Sequence, residues 1–216
     1  MVNRRRVRAA VAAALILCAA VLQVARYVRG RAARWRIVAD TGGPITLAAC
    51  SLNSARRAAL RNAELVATIA NALPERARLV VLTNDRAAFT VVRDPWPGRV
   101  VFVDTPAEQD VTIWPQDPFV VLRDGRGRAC LLGSCDFERA GDRVLGEALA
   151  RHLGWEWRGS GLRFEGGNIV ADERIVFVGA NTIRHNAVLL EETDVEVARR
   201  FEAELGRPVM VIGPVP

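Results

Sequence analysis

Lysine is absent from this 216-residue chain: all 30 of its basic residues are arginine. Histidine is scarce as well, with only His152 and His185. The four cysteines, Cys18, Cys50, Cys130 and Cys135, form no C-x-x-C pair and have no histidine nearby, which argues against a zinc site. Three of them lie outside the apolar N-terminal stretch and cannot all pair within one chain, so buried reduced thiols are expected. A Walker A loop, H-E-x-x-H, G-x-S-x-G and a dinucleotide fingerprint after a first strand are all missing. These absences remove the commonest nucleotide, zinc-protease and serine-hydrolase readings. No cofactor or metal is expected.

What is present is an ordinary globular balance, 50% hydrophobic and 25% charged, enough for one self-supporting core. The net charge of +6 is unevenly spread. Residues 1–36 hold nine arginines and no acid, whereas residues 37–216 hold 21 arginines against 24 acids. The folded body is therefore slightly acidic, and a nucleic-acid partner is disfavoured. The absence of lysine reads as coding bias. Ala9 to Ala25 carries no charge and is flanked by arginine on both sides. Seventeen helical residues reach about 25 Å, just under a hydrocarbon core of about 30 Å, and flanking arginines can snorkel. Residues 1–36 are accordingly expected to form a signal anchor or uncleaved signal segment. That makes the protein a single-pass membrane protein held through residues 9–25, with its side undetermined.

From Ile37 the pattern alternates between strand and helix. Apolar runs predict strands at Ile45–Cys50, Arg78–Thr83, Arg99–Asp104, within Val111–Leu122, and at Ala129–Leu132, Trp155–Arg158, Arg163–Ala171, Ile175–Val178 and Val209–Ile212. Helices are expected over Ser54–Leu73, Phe137–Leu153 and Thr193–Leu205, with Asn181–Asn186 as a polar loop. His152 falls at a helix C-terminus, where the dipole favours it; His185 falls in the loop. Two or three strands, a helix and a closing strand recur three times, with closing strands near residues 78–83, 155–158 and 208–212. A period of 55–75 residues points to equivalent units in a propeller or array.

Two patches carry candidate chemistry. In Trp114-Pro115-Gln116-Asp117-Pro118, prolines flank an amide and a carboxylate, which argues against a central ladder strand. In Phe164-Glu165-Gly166-Gly167-Asn168, a carboxylate precedes two glycines that permit close backbone approach. Taken singly, each also reads as a turn.

Taken together, Trp114-x-Gln116-Asp117 followed by Glu165-Gly166-Gly167-Asn168 resembles the guanidine-modifying superfamily of agmatine deiminases, protein-arginine deiminases, arginine deiminases and amidinotransferases. The agmatine and bacterial peptidylarginine branches usually carry Arg where Gln116 stands; Gln there is similar to the animal protein-arginine deiminases. The resemblance covers roughly Ile45 to Pro216. It implies an α/β fold, a five-unit pentein-like propeller of which residues 37–216 hold about three ββαβ units after the N-terminal hydrophobic helix. It also implies a guanidinium-bearing small molecule or arginine side chain as substrate, hydrolysed to a ureido product and ammonia. By that likeness Asp117 grips the guanidinium, Trp114 walls the pocket, Gln116 contacts substrate, and Glu165, Gly166 and Gly167 form the second motif. Asp110 lies one residue further from the tryptophan than relatives place their acid. Bidentate carboxylates suit a planar, forked cation.

The departures from the family pattern are as specific. Relatives carry a catalytic His in His-x-Asp after the third unit and a Cys in a later Gly-rich segment. No His-x-Asp occurs here, and Cys50, Cys130 and Cys135 stand in unlike contexts. The expectation is a deiminase-family chain truncated at Pro216 before its nucleophile and acid/base. The alternatives are a non-catalytic family member and an unrelated membrane-anchored binding or structural protein. Three units alone would leave unit faces uncovered, so such a chain is expected to be marginal unless it forms a homo-oligomer or binds a complement.

Overall fold

The computed structural model describes residues 35–52, 56–84, 98–106 and 111–213, with side chains of the first helix described from Glu64 onward. Strands β1 (Arg36–Ile37) and β2 (Leu47–Leu52) precede helix α1 (Arg56–Ala72), β3 (Arg78–Thr83) and β4 (Val100–Asp104). A hairpin of β5 (Phe119–Arg123) and β6 (Ala129–Gly133) leads into α2 (Ala140–Leu153) and β7 (Glu156–Gly159). A 3-10 turn at Gly166–Asn168 opens β8 (Ile169–Ala171), followed by β9 (Val176–Gly179), α3 (Ala180–Leu190), α4 (Asp194–Leu205) and β10 (Val209–Ile212).

Three sheets result, in the orders β2-β3-β4, β1-β5-β6-β7 and β10-β9-β8. The second and third share one connectivity. An antiparallel pair (β5/β6, β8/β9) is followed by a helical crossover to a strand parallel to the second of the pair. The first sheet differs: β2, β3 and β4 are all parallel, and the segment expected to open the second unit instead extends the first sheet as β4. Likewise β1 pairs antiparallel with β5 at the edge of the second sheet.

Period-2 alternation places the sheets in layers. On β3, Leu79 and Val81 pack with Val66 and Ala70 of α1, whereas Val80 and Leu82 turn toward α2. On β5, Phe119 faces α2 beside Leu145 and Leu149, whereas Val120 and Leu122 face α3 and α4, meeting Ile183, Val197 and Phe201. A strand buried on both faces reads as an unbroken apolar run, which is how Arg78–Thr83 and Phe119–Leu122 appear in sequence. Helix α2 thus fills the space between the first and second sheets, and α3 with α4 the space between the second and third. Trp157 of β7 wedges into the first of these layers because Gly133 and Gly146 make room. A Cβ on either would lie 2.2 and 2.5 Å, respectively, from the indole.

Several elements depart from the sequence expectation for local reasons. The strand expected over Arg163–Ala171 begins only at Ile169, because Gly166-Gly167 turn the chain first. The strand within Val111–Leu122 begins at Phe119, after the proline-flanked turn. The expected polar loop at Asn181–Asn186 is the body of α3. Its Ile183, Ala187 and Leu190 lie on one face, and the buried Asn186 amide is fully engaged: Oδ1 accepts from the Arg163 N–H, while Nδ2 donates to the Arg163 and Thr182 carbonyls. That polar residue disguises a core-facing helix position. Helix α4 follows its sequence signals, with a Thr193/Glu196 capping box and Gly206 at φ +69° closing it.

The membrane-anchored, single-pass reading is corrected here. Among the described residues no helix is long and apolar enough to cross a membrane. Residues 9–25, on which that expectation rested, lie outside the described residues, as does Asp110.

Leu145 is fully buried between two sheets. Leu145→Ala is expected to lower stability by about 2–5 kcal/mol, read as a shift in the urea midpoint without a change in slope.

Candidate functional site

The two sequence patches meet in space. The turn 114–118 delivers the chain into β5, and the Glu165-Gly166-Gly167 segment crosses against it. The Gly166 N–H donates to the Asp117 carbonyl at 2.7 Å. A Cβ at residue 166 would stand 2.2 Å from the Gln116 carbonyl oxygen and 2.5 Å from that of Phe119. Only glycine permits two backbones to approach so closely. At Gly167 a Cβ would come 3.2 Å from Asp117 Oδ1, so this glycine also keeps that carboxylate's surroundings open.

A single guanidinium joins the acids of the site. Arg139, at the N-cap of α2, donates from Nη2 to Asp117 Oδ2 at 2.5 Å and from Nε to Asp142 Oδ2 at 2.6 Å. Its Nη1 lies 3.9 Å from Glu165 Oε1. The Phe137 ring sits 4.9 Å from its Cζ, a cation–π distance. The Asp142 side chain is fully buried, and it also accepts from the Thr112 N–H at 2.7 Å and the Thr112 hydroxyl at 2.8 Å. Stripping such a buried carboxylate of its cation generally costs about 3–5 kcal/mol. Burial works against the charge on Arg139, but hydrogen bonds to Asp117 and Asp142 outweigh it and raise its pKa above the ordinary value.

Glu165 is half exposed and accepts from Asn168 Nδ2 at 3.2 Å. It lies on a cleft of about 210 Å³ whose lining includes Phe137, Arg139, Arg163, Asn181 and His185. His185, given no role by its sequence context, reaches this cleft because α3 is a helix. Trp114 is 60% exposed and does not line the cleft; the aromatic on the arginine is Phe137. Gln116 is exposed and meets Gly166 through its backbone carbonyl. Arg139 and Asp142 had no motif in the sequence to reveal them. The one available signal was an acid in the first turn of a helix, a position that the helix dipole by itself accounts for.

The described thiols are poor nucleophiles. Burial pushes the Cys50 thiol up to about 12. Burial, aided by the Glu156 charge, pushes Cys130 up to about 11 against a smaller opposing effect of Arg158. Cys135 is also raised, first by burial and then by Asp136 and Glu204. Among the described residues no cluster of His, Cys, Asp and Glu could hold a metal ion.

Solved structures similar to this one define a class. The chain is similar to the agmatine deiminase of C. jejuni, with a TM-score of 0.60 and 14% identity over 82% of this chain and 55% of that one. It is similar to a Cys-to-Ser variant of that enzyme with substrate bound (TM-score 0.64, 12% identity, 82% and 56% covered). The agmatine deiminase of Enterococcus faecalis is comparable (TM-score 0.65, 12% identity, 82% and 52% covered). The fold is shared with these agmatine deiminase structures. At these identities the likeness is one of fold, and the chain spans little more than half the length of these structures. No family model matches the chain, and no curated protein matches it by sequence.

Gly166→Ala should destabilise the chain by at least about 1–3 kcal/mol in chemical denaturation, the range for forced overpacking, because the obstructing atoms are backbone. The raised thiol pKa values carry a second expectation. At pH 8 a group at about 12 is ionised in about one molecule in ten thousand, so native Cys50 should resist iodoacetamide and react only on unfolding. Rapid alkylation of native Cys50, mapped by peptide mass, would contradict this.

Proposed function

We propose that this chain is a guanidinium-recognising portion of a deiminase-type protein, in which Asp117 and Glu165 are the carboxylates that take the cation. The observation that carries the reading is that these two acids, 48 residues apart in sequence, come together around a guanidinium group, that of Arg139. Planar forked donors and carboxylates are matched in geometry and charge, so the site selects guanidinium over ammonium. The ancestral reaction is attack of a Cys thiolate on the guanidinium carbon, loss of ammonia, and hydrolysis of the covalent intermediate to the ureido product. Agmatine, named for the similar structures, and an arginine side chain both present the required group. Trp114, Gln116 and Gly167 belong to the two segments that carry Asp117 and Glu165, and Gly166 sets the contact between those segments.

A second reading, binding without turnover, is favoured by one observation: burial raises the pKa of each described thiol. On this second reading the described domain supplies recognition and not the nucleophile.

Residues 37–216 are proposed to be about three of five propeller units in one domain. The support is the sheet–helix–sheet alternation. Each of the first two sheets has its second face covered by the helices of the following unit. The corresponding face of the third sheet carries Val170 at 48% exposure, Met210 at 48% and Ile212 at 47%; Val170 and Met210 flank Phe177 of β9 in register. That is the surface a further unit would cover.

Agmatine titrated into the ¹⁵N-labelled chain should shift the Gly166 and Gly167 amides, which lie against Asp117. Asp117→Asn and Glu165→Gln should each weaken the response at least threefold. The absence of any response at tens of millimolar, in the wild type and in a folded Arg139→Gln variant alike, would count against guanidinium recognition. No ammonia should be released from agmatine by this chain alone.

A further inference from the structure

Arg139 already occupies the place that the proposed function gives to a ligand. Each of its three guanidinium nitrogens faces a different carboxylate: Nε faces Asp142, Nη2 Asp117 and Nη1 Glu165. The Phe137 ring supplies an aromatic face to the same cation. These are the contacts expected of a guanidinium ligand: forked donors on carboxylates, with a π-system alongside. The supplier is the chain itself, from the first residues of α2.

We propose that Arg139 is an internal ligand of the guanidinium site, so that the folded chain keeps the site closed to free guanidinium compounds until Arg139 leaves Asp117 and Glu165. The proposal rests on the reading of those two acids as guanidinium-binding groups. Two physical facts support it. Asp117 Oδ2 is engaged by Arg139 at 2.5 Å, and a second cation brought to the same carboxylates meets an arginine that does not lose its charge in water. The contacts are also graded. Asp142 is fully buried, Asp117 is 18% exposed and Glu165 51% exposed, so the guanidinium is gripped firmly at its inner end and loosely on the cleft side. A ligand arriving through the cleft therefore meets Glu165 first and competes with Nη1 and Nη2, while Nε–Asp142 lies deepest.

A site whose open state is only a fraction of the population binds with its dissociation constant raised by the inverse of that fraction. If Arg139 occupies the site nine-tenths of the time or more, its removal improves apparent affinity at least tenfold. The test is agmatine titration of the wild type, Arg139→Gln and Arg139→Gln/Asp117→Asn, read at the Gly166 and Gly167 amides. The expected result is an agmatine dissociation constant at least tenfold lower for Arg139→Gln than for wild type, with the gain lost in the double variant. Equal constants for wild type and Arg139→Gln overturn the internal-ligand proposal and leave the Asp117–Glu165 reading standing. A folded Arg139→Gln that, like wild type, shows no response overturns both. Should Arg139→Gln fail to fold, Arg139→Gln/Asp142→Asn neutralises the buried carboxylate that has lost its partner and is read in the same way. If that variant also fails to fold, Arg139 belongs to the scaffold and the proposal falls.

Discussion

The ion pair between Arg139 and the buried Asp142 is the contact on which the site depends. Asp142 stands in the first turn of α2, where the helix dipole favours an acid, and its two oxygens also receive the backbone and hydroxyl of Thr112. The Thr112 carbonyl in turn accepts from Ser51 Oγ on β2 at 2.5 Å. One polar chain therefore runs from the first sheet through Thr112 and Asp142 to Arg139, and on to Asp117 at the mouth of β5. It crosses the same interior that Val80, Leu82, Leu131, Leu145 and Leu149 fill with apolar side chains. In such surroundings a charge is tolerated only when it is paired and hydrogen-bonded, and this network is paired along its length.

Close backbone approach is the second constraint. The 114–118 turn leads into the second sheet and the 165–168 segment into the third, and they have no helix or sheet ladder in common. They are joined by the Gly166 N–H to the Asp117 carbonyl and by the bare Cα of Gly166 against two carbonyl oxygens. Asp117 and Glu165 owe their proximity to that contact. The cleft beside it takes its remaining wall from α3, whose buried Asn186 ties the helix to the backbone of Arg163. A polar side chain acting as an internal strap thereby sets where His185 and Asn181 stand.

The apolar layering accounts for stability as the polar chain accounts for the site. Strands of the first two sheets read as continuous hydrophobic runs because both faces are covered, by α1 and α2 on the first sheet and by α2, α3 and α4 on the second. The third sheet breaks that rule, leaving Val170, Met210 and Ile212 in water. An exposed apolar face of this kind is a surface suited to burial.

Much of the fold was legible in the sequence. Arg78–Thr83 and Val209–Ile212 appear within their expected bounds, α4 starts and stops at its cap signals, and the likeness to guanidine-modifying proteins was visible in two short motifs. Helix α3 was hidden because the face it buries includes a satisfied asparagine, which hydropathy counts as surface. The membership of β1 and β4 was hidden because pairing across loops is a long-range choice. The sequence by itself determined local periodicity, the capping residues and the glycine at which two backbones can touch. These depend on the covalent structure of each residue and its near neighbours. Only the tertiary structure decided that Arg139 stands among Asp117, Asp142 and Glu165. Asp142 is a helical neighbour of Arg139, but Asp117 and Glu165 lie far from it in sequence and meet it only through packing of separate segments.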